Sequence, residues 1–223
     1  MKAFQKADGG ALMSIREYDI AASTAIKEGQ LVKISAGLVV SATASDTGRL
    51  LGVAAENHSG AADALDPRAN GTKIRVIDCP DAIFECPVPV FTATGGSATT
   101  VTANTLGAFA NDDFNGGYLK LISKGAGSTN TDPIGTVKRI TDYGYNSTGT
   151  VSTFTVASGA SACEGDKFEL YPPLGFAKGN YDSAIQKLIL TATASLTMKV
   201  VGRDEDAGVI RMMIAQHFLG GEE

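Results

Sequence analysis

The sequence predicts an all-β protein, on three observations. Ala, Gly, Ser and Thr together supply about two-fifths of the 223 residues, a composition that favours strands joined by tight turns over long helices. Short apolar runs recur between Gly, Asp and Asn punctuation along most of the chain. The clearest periodicity, over Thr72–Asp78, is two: Ile74 and Val76 alternate with Lys73 and Arg75, so one face is buried and one wet. An apolar content of 43% excludes a wholly disordered chain. A chain of this length buries roughly 70% of its extended surface, so it folds without disulfides or metals.

Residues 1–14 are polar with scattered Phe4, Leu12 and Met13, and read as an extended N-terminal arm. Ile15–Ala21 is the first predicted strand. Glu28-Gly29 turns the chain into Gln30–Ile34, and Ala36-Gly37 turns it again into Leu38–Ser41, a hairpin in which Gly37 supplies positive φ. Leu50–Ala55 is nearly all apolar or small, and a loop follows at 59–63. After the strand at 72–78, Pro80 interrupts pairing and Ile83–Cys86 resumes it.

Residues 92–105 are almost pure Thr, Ala, Gly and Ser and read as an internal boundary. Beyond it strands are predicted at Tyr118–Ile122, Ile134–Ile140, Thr153–Val156 and Lys167–Leu170. Glu164–Leu170 echoes Glu28–Ile34; duplication and a shared turn-then-strand grammar both account for it. Asp182–Leu190 fits a short helix capped by Asp182 or a strand equally well. Met198–Val201 and Val209–Ile214, joined by a charged turn at Arg203–Asp206, form a closing hairpin with Ile210, Met212, Ile214 and Phe218 on one face.

The chemistry-bearing residues are sparse. Formal net charge is −5, which argues against nucleic-acid binding through a basic face. The N-terminus lacks the apolar core of a secretory signal, and no run approaches the ~18 apolar residues that span a bilayer, so the reading is no membrane partner. Cys79, Cys86 and Cys163 are an odd count, read as free, buried thiols rather than a metal or redox cluster. His58 and His217 are the only histidines, and no Gly-x-Ser-x-Gly elbow accompanies them. Asp112-Asp113 and Asp204-Glu205-Asp206 sit in turn-like segments and read as solvated loops. Lys124–Thr129 lacks the Lys-Ser/Thr ending of a phosphate loop and reads as a hairpin turn. No cofactor is expected and the chain is read as a non-enzyme.

Three segments taken together carry a family resemblance. They are Ser23–Ile34 leading to Leu51-Gly52-Val53-Ala54, then Val76–Glu85, then Val209–Phe218. In this order the chain resembles capsid decoration (cement) proteins of tailed bacteriophage heads. The most specific part is Asp78-Cys79-Pro80-Asp81-Ala82-Ile83-Phe84-Glu85. The middle of the chain, about 95–180, is similar to β modules of phage structural proteins. The resemblance implies a non-enzymatic protein on the outside of a capsid, bound to the major capsid protein, often as a homotrimer at symmetry axes.

The resulting expectation is a small β-barrel or sandwich module, 15–92 plus 182–221, with a second β module, 93–181, inserted in it. The arm residues Phe4, Leu12, Met13, Ile15 and Tyr18 are the candidate capsid or subunit contacts, because an arm pairs readily with a neighbour's strand edge. The predicted location is the capsid exterior, after assembly in a reducing bacterial cytoplasm. The alternative is a head-fibre or adhesin module binding host glycans through Tyr143, Tyr145 and Tyr181.

Overall fold

The computed structural model describes residues 2–6, 14–21, 23–43, 49–59, 72–106, 108–157, 164–176, 179–182, 187–190 and 198–215; for 2–6, 179–182 and 187–190 it describes the backbone alone. The strands are, in chain order, β1 (Lys2–Lys6), β2 (Ile15–Asp19), β3 (Leu31–Ser35), β4 (Leu38–Ser41), β5 (Gly52–Ala54), β6 (Lys73–Ile77), β7 (Ala82–Pro87), β8 (Val90–Thr92) and β9 (Gly95–Gly96). They continue as β10 (Thr100–Ala103), β11 (Tyr118–Ser123), β12 (Val137–Asn146), β13 (Val151–Val156), β14 (Lys167–Tyr171), β15 (Gly179–Asp182), β16 (Lys187–Leu190), β17 (Met198–Asp204) and β18 (Val209–Ile214). No helix occurs among the described residues, so the all-β prediction holds.

The first sheet is five-stranded, in the order β2-β6-β5-β3-β4. Its outer strands meet, because a parallel bridge joins Ile20, just past β2, to Val39 in β4. The sheet therefore closes into a small barrel. Alternation along the strands sends Val32, Val39, Ala54, Ile74 and Val76 inward, where they pack with Ile20, Ile26 and Leu51. The opposite parity, Leu31 and Val53, faces out and joins the larger core. The β3–β4 hairpin forms as predicted, with Ala36 at φ 49° as well as Gly37 at φ 82°. Positive φ at both turn residues matches the twist of the flanking strands.

The second sheet is seven-stranded, β8-β14-β11-β12-β13-β10-β9. Its two edge strands, β8 and β9, are parts of one bent segment separated only by Ala93 and Thr94. Ala93 N–H bonds to Asp166 O at 2.7 Å and Thr94 N–H to Thr102 O at 2.8 Å, so pairing passes from one edge to the other without a gap. This sheet closes as well. The run at 92–105, read as an internal boundary, falls where the chain enters this sheet. It carries β9 and β10, with Val101 and Ala103 buried and Thr100 and Thr102 registered against Thr155 and Thr153. β-Branched Thr on the outer face and small residues inside suit a strand as well as a loop.

The third sheet, β1-β7-β18-β17, joins the two ends of the chain around the second barrel. The closing hairpin is as predicted, with Ile210, Met212 and Ile214 buried on one face; Phe218 lies outside the described residues. A two-stranded sheet, β15-β16, makes Asp182 and Lys187–Leu190 of the ambiguous 182–190 stretch strand; 183–186 lie outside the described residues. β12 begins at Val137 rather than Ile134 and runs on to Asn146, because Pro133–Thr136 forms a turn closed by Thr136 N–H to Pro133 O at 3.1 Å.

One hydrophobic core links all three larger sheets, from Leu31 and Val53 through Phe84 and Met212 to Phe154 and Leu170. Its centre is aromatic. Phe91 stacks on Phe154 and Phe168 at 5.4 and 5.7 Å, and Phe114 meets Tyr143 edge-on at 4.8 Å and Phe176 at 5.1 Å. Each such pair contributes about 0.5–1.5 kcal/mol beyond burial.

The sequence echo has a structural counterpart. Gly29 and Gly165 both have φ near +85°, at 82° and 89°. Gly29 N–H bonds to Ala54 O and Ala54 N–H to Gln30 O; Gly165 N–H bonds to Ala93 O and Ala93 N–H to Asp166 O. The next pairs, Leu31↔Val53 and Lys167↔Thr92, continue the same register. The partner strand follows the turn in the first barrel and precedes it in the second, so the match is a shared local grammar rather than a colinear repeat. Around the second turn, Gly125 packs tightly: a Cβ there would lie 2.5 Å from Glu164 O and 2.8 Å from Gly165 Cα. Gly125→Ala is expected to lower the unfolding free energy by about 1–3 kcal/mol, measured by urea denaturation.

Candidate interaction surface

Of the five arm residues singled out by sequence, Ile15 and Tyr18 are the two whose side chains are described. Phe4 lies in β1 at a bulge between Ala3 and Gln5, on the edge of the four-stranded sheet. Leu12 and Met13 lie outside the described residues. Ile15 and Tyr18 are both in β2 but three positions apart, so they point to opposite faces. Ile15 is 52% exposed, whereas Tyr18 packs against the interior of the first barrel. The start of the chain is also not a free arm, since β1 pairs antiparallel with β7.

Tyr18 belongs to a polar clamp. Its hydroxyl donates to Asp78 Oδ2, Arg16 Nε lies 3.5 Å from the same oxygen, and Asp78 N–H bonds to Ser14 O at 3.2 Å. Asp78 is 1% exposed and its Oδ1 has no hydrogen-bond partner. The clamp ties the entry of β2 to the β6–β7 junction, so the Asp78–Glu85 stretch that carries the family resemblance begins at a buried structural carboxylate. Desolvation, reinforced by the hydrogen bond and charge of Asp78 and partly opposed by Arg16, pushes the Tyr18 phenol up to about 12.

A second polar seam joins the closing hairpin to the second barrel. Lys120 Nζ donates to Glu205 O, and Tyr171 donates to Glu169 Oε2 at 2.7 Å. Arg203 stacks 4.0 Å over the Tyr118 ring and pairs with Glu205 at 3.2 Å. Arg211 bridges Glu85 at 3.3 Å and Asp204 at 3.5 Å. Within the Asp204-Glu205-Asp206 run, expected to be a solvated loop, Glu205 joins the closing hairpin to the second barrel, while Asp204 pairs with Arg211 inside the third sheet. Sequence gave no sign of this, because the partners come from strands far apart in the chain.

The Lys124–Thr129 turn is also anchored from a distance. Asp166, fully buried, accepts from Gly125 N–H at 2.8 Å and from Asn130 Nδ2 at 3.0 Å. Asn130 Oδ1 accepts from Asp132 N–H at 2.9 Å, and Asp132 pairs with Lys138 at 2.5 Å. This chain of contacts holds the β11–β12 connection across a small apolar pocket lined by Val101, Leu119, Leu121, Val156 and Phe168. It also fixes the Pro133–Thr136 turn, which displays Ile134 at 62% exposure beside exposed Val137. With Val90, Leu174 and Ile15, these are the large apolar residues most open to solvent among those described.

The groups considered for chemistry are structural where described. His58 is buried, its Nδ1 2.6 Å from Thr24 O, and its backbone exchanges two 2.7 Å bonds with Ile26. Cys79 and Cys86 are free and buried, and Cys163 and His217 lie outside the described residues. Burial pushes the Cys86 thiol up to about 12, so little of it is thiolate near neutrality. Among the described residues no three His, Cys, Asp or Glu side chains gather as a metal site. Tyr143, read as a member of an exposed glycan platform, is instead a core residue, 1% exposed and bonded to Ser152 Oγ at 2.9 Å. Alternation within β12 decides this: Tyr143 shares its face with buried Ile140 across an irregularity in the register. Tyr145 is half-buried, and the Tyr181 side chain is outside the described atoms.

Comparison with protein-family models, with curated proteins and with solved structures finds no match.

Two outcomes follow from the titrating groups. The Tyr18 phenol is harder to ionise folded than unfolded, so its contribution is present below pH 10 and lost as pH rises through about 12. Tyr18→Phe is expected to flatten the fall in thermal stability over that window relative to the wild type, measured by circular dichroism melts. Cys86 is expected to resist iodoacetamide at pH 8 in the native protein and to react fully in denaturant, read by peptide mapping.

Proposed function

We propose that this chain is a non-enzymatic structural protein that binds the outer surface of a phage capsid lattice and stabilises it by bridging neighbouring capsid subunits. The observation that carries the reading is mechanical. The outer face of the first barrel, the interior of the second and the third sheet share one core, and the first barrel holds a second core of its own. Close-packed cores of this kind transmit strain rather than absorb it. A body that must hold two lattice subunits at fixed separation needs that property.

The sequence resemblance supplies the partner, the major capsid protein, and the trimeric arrangement on the capsid exterior. Contact through the β2 face is supported by Ile15, an exposed isoleucine close to the N-terminal strand. Ile134 offers a second contact, since a branched apolar side chain held out on a pinned turn suits insertion into an apolar socket.

Cosedimentation with empty, expanded phage capsids tests the reading. The wild type is expected to pellet saturably with capsids, and Ile15→Glu and Ile134→Glu to bind about tenfold more weakly each, a change of ~1.4 kcal/mol. Both sites are exposed, so the melting temperature is expected to stay within a few degrees. No pelleting with any capsid overturns the proposal.

A further inference from the structure

We propose that β1 is an exchangeable strand, and that its slot on β7 is an interaction surface for β1 of a second copy of this chain. The argument starts from what β1 does in the sheet. It is the outermost strand, and its neighbour there is β7. β7 is held independently on its other side by β18, through the register from Val209↔Pro87 to Met213↔Ile83. Withdrawal of β1 therefore removes an edge and leaves β7-β18-β17 and the core beneath them intact.

The vacated edge is not neutral. With β1 in place, Ala82, Ile83 and Phe84 are 0%, 8% and 0% exposed, so this edge belongs to the apolar part of the fold. An apolar strand with unpaired backbone groups is a template for association and has to be covered. Five residues of another chain with the same sequence cover it as well as the chain's own five.

The match between strand and slot is specific in direction and register. Lys2 stands opposite Glu85, Ala3 opposite Phe84, Gln5 opposite Ile83 and Lys6 opposite Ala82, with the bulge between Ala3 and Gln5. Opposite charges at Lys2 and Glu85 favour this alignment. Direct edge-to-edge pairing of two β1 strands is the weaker arrangement, because antiparallel alignment sets Lys2 against Lys6 of the other copy.

Exchange costs no bonds, since each copy forms the same contacts whether the strand is its own or a neighbour's. The eight residues 7–14 that link β1 to β2 in sequence set an upper bound of roughly 28 Å on the separation of the two strands. Reciprocal exchange between two copies closes a dimer, and one-way successive exchanges close a larger ring or continue as a chain. Self-association by this route requires no capsid.

The test uses the unmodified protein in the absence of capsids, so its failure leaves the capsid reading standing. Equal amounts of 14N- and 15N-labelled protein are unfolded and refolded together at high concentration, then treated with a zero-length carbodiimide cross-linker and digested. Lys2–Glu85 links joining one light and one heavy peptide are expected, approaching half of all such links at full exchange. Only same-isotope Lys2–Glu85 links, or no such link at all, overturns the proposal. Light scattering after gel filtration is the second measurement: a concentration-dependent oligomer is expected, and Gln5→Pro, which removes a backbone donor from β1, is expected to abolish it. An oligomer unchanged by Gln5→Pro, or a wild-type monomer at every concentration, also overturns it.

Discussion

The bent segment Val90–Gly96 is the element on which the rest of the fold depends. Its first half pairs with β14, its second half pairs with β10, and Ala93 and Thr94 carry the hydrogen bonding around the corner. A sheet of short strands rich in Thr and Gly has little side-chain surface with which to protect an edge. Closing the sheet removes the edge altogether. Phe91 enters the interior from the same segment and stacks against both Phe154 and Phe168, so the backbone closure and the aromatic core are fixed together.

Closure has a consequence for how the parts are joined. With the second barrel sealed upon itself, its links to the remainder are the outward faces of its core residues and the polar seam at Lys120, Glu169, Tyr171, Arg203 and Glu205. Apolar packing between smooth faces tolerates sliding. Directional hydrogen bonds and a stacked guanidinium do not, and they define one orientation. Gly208 sits at this seam, where its missing side chain leaves room for the Glu169 carboxylate. The buried carboxylates act in the same way elsewhere: Asp78 fixes the start of β2 and Asp166 fixes the β11–β12 connection. Burial makes each of them costly to leave without partners, which is why each gathers several.

Local grammar was readable wherever a strand and its turn lie within a few residues of each other. The period over Thr72–Asp78 became β6, with Ile74 and Val76 inside and Lys73 exposed. Ala36-Gly37 and the 205–208 turn became hairpins with the expected partners. Errors arose where the deciding partner is distant. Tyr143 looks like one of a polar, aromatic pair beside Tyr145, and only the pairing of β12 with β13 turns it inward. The 92–105 run reads as a boundary from composition, and only β13 and β14 beside it reveal the strands it carries. Of the candidate interaction residues, Ile15 is exposed and Tyr18 is committed to the Asp78 clamp, a division that alternation along β2 made available but that the arm reading overlooked.

The sequence by itself determined the class of the fold, most strand positions and the faces that alternate, because those follow from side-chain period and turn chemistry within short windows. It also determined that Cys86 and Cys79 are apolar, unpaired thiols in a chain with no nucleophile motif. Only the tertiary structure decided that both larger sheets close, that one core reaches all three, and that Glu205 ties the closing hairpin to the second barrel. Those outcomes rest on contacts between residues tens of positions apart. Their free energy arises from removing paired backbone edges and apolar faces from water at once, and no local window contains both partners.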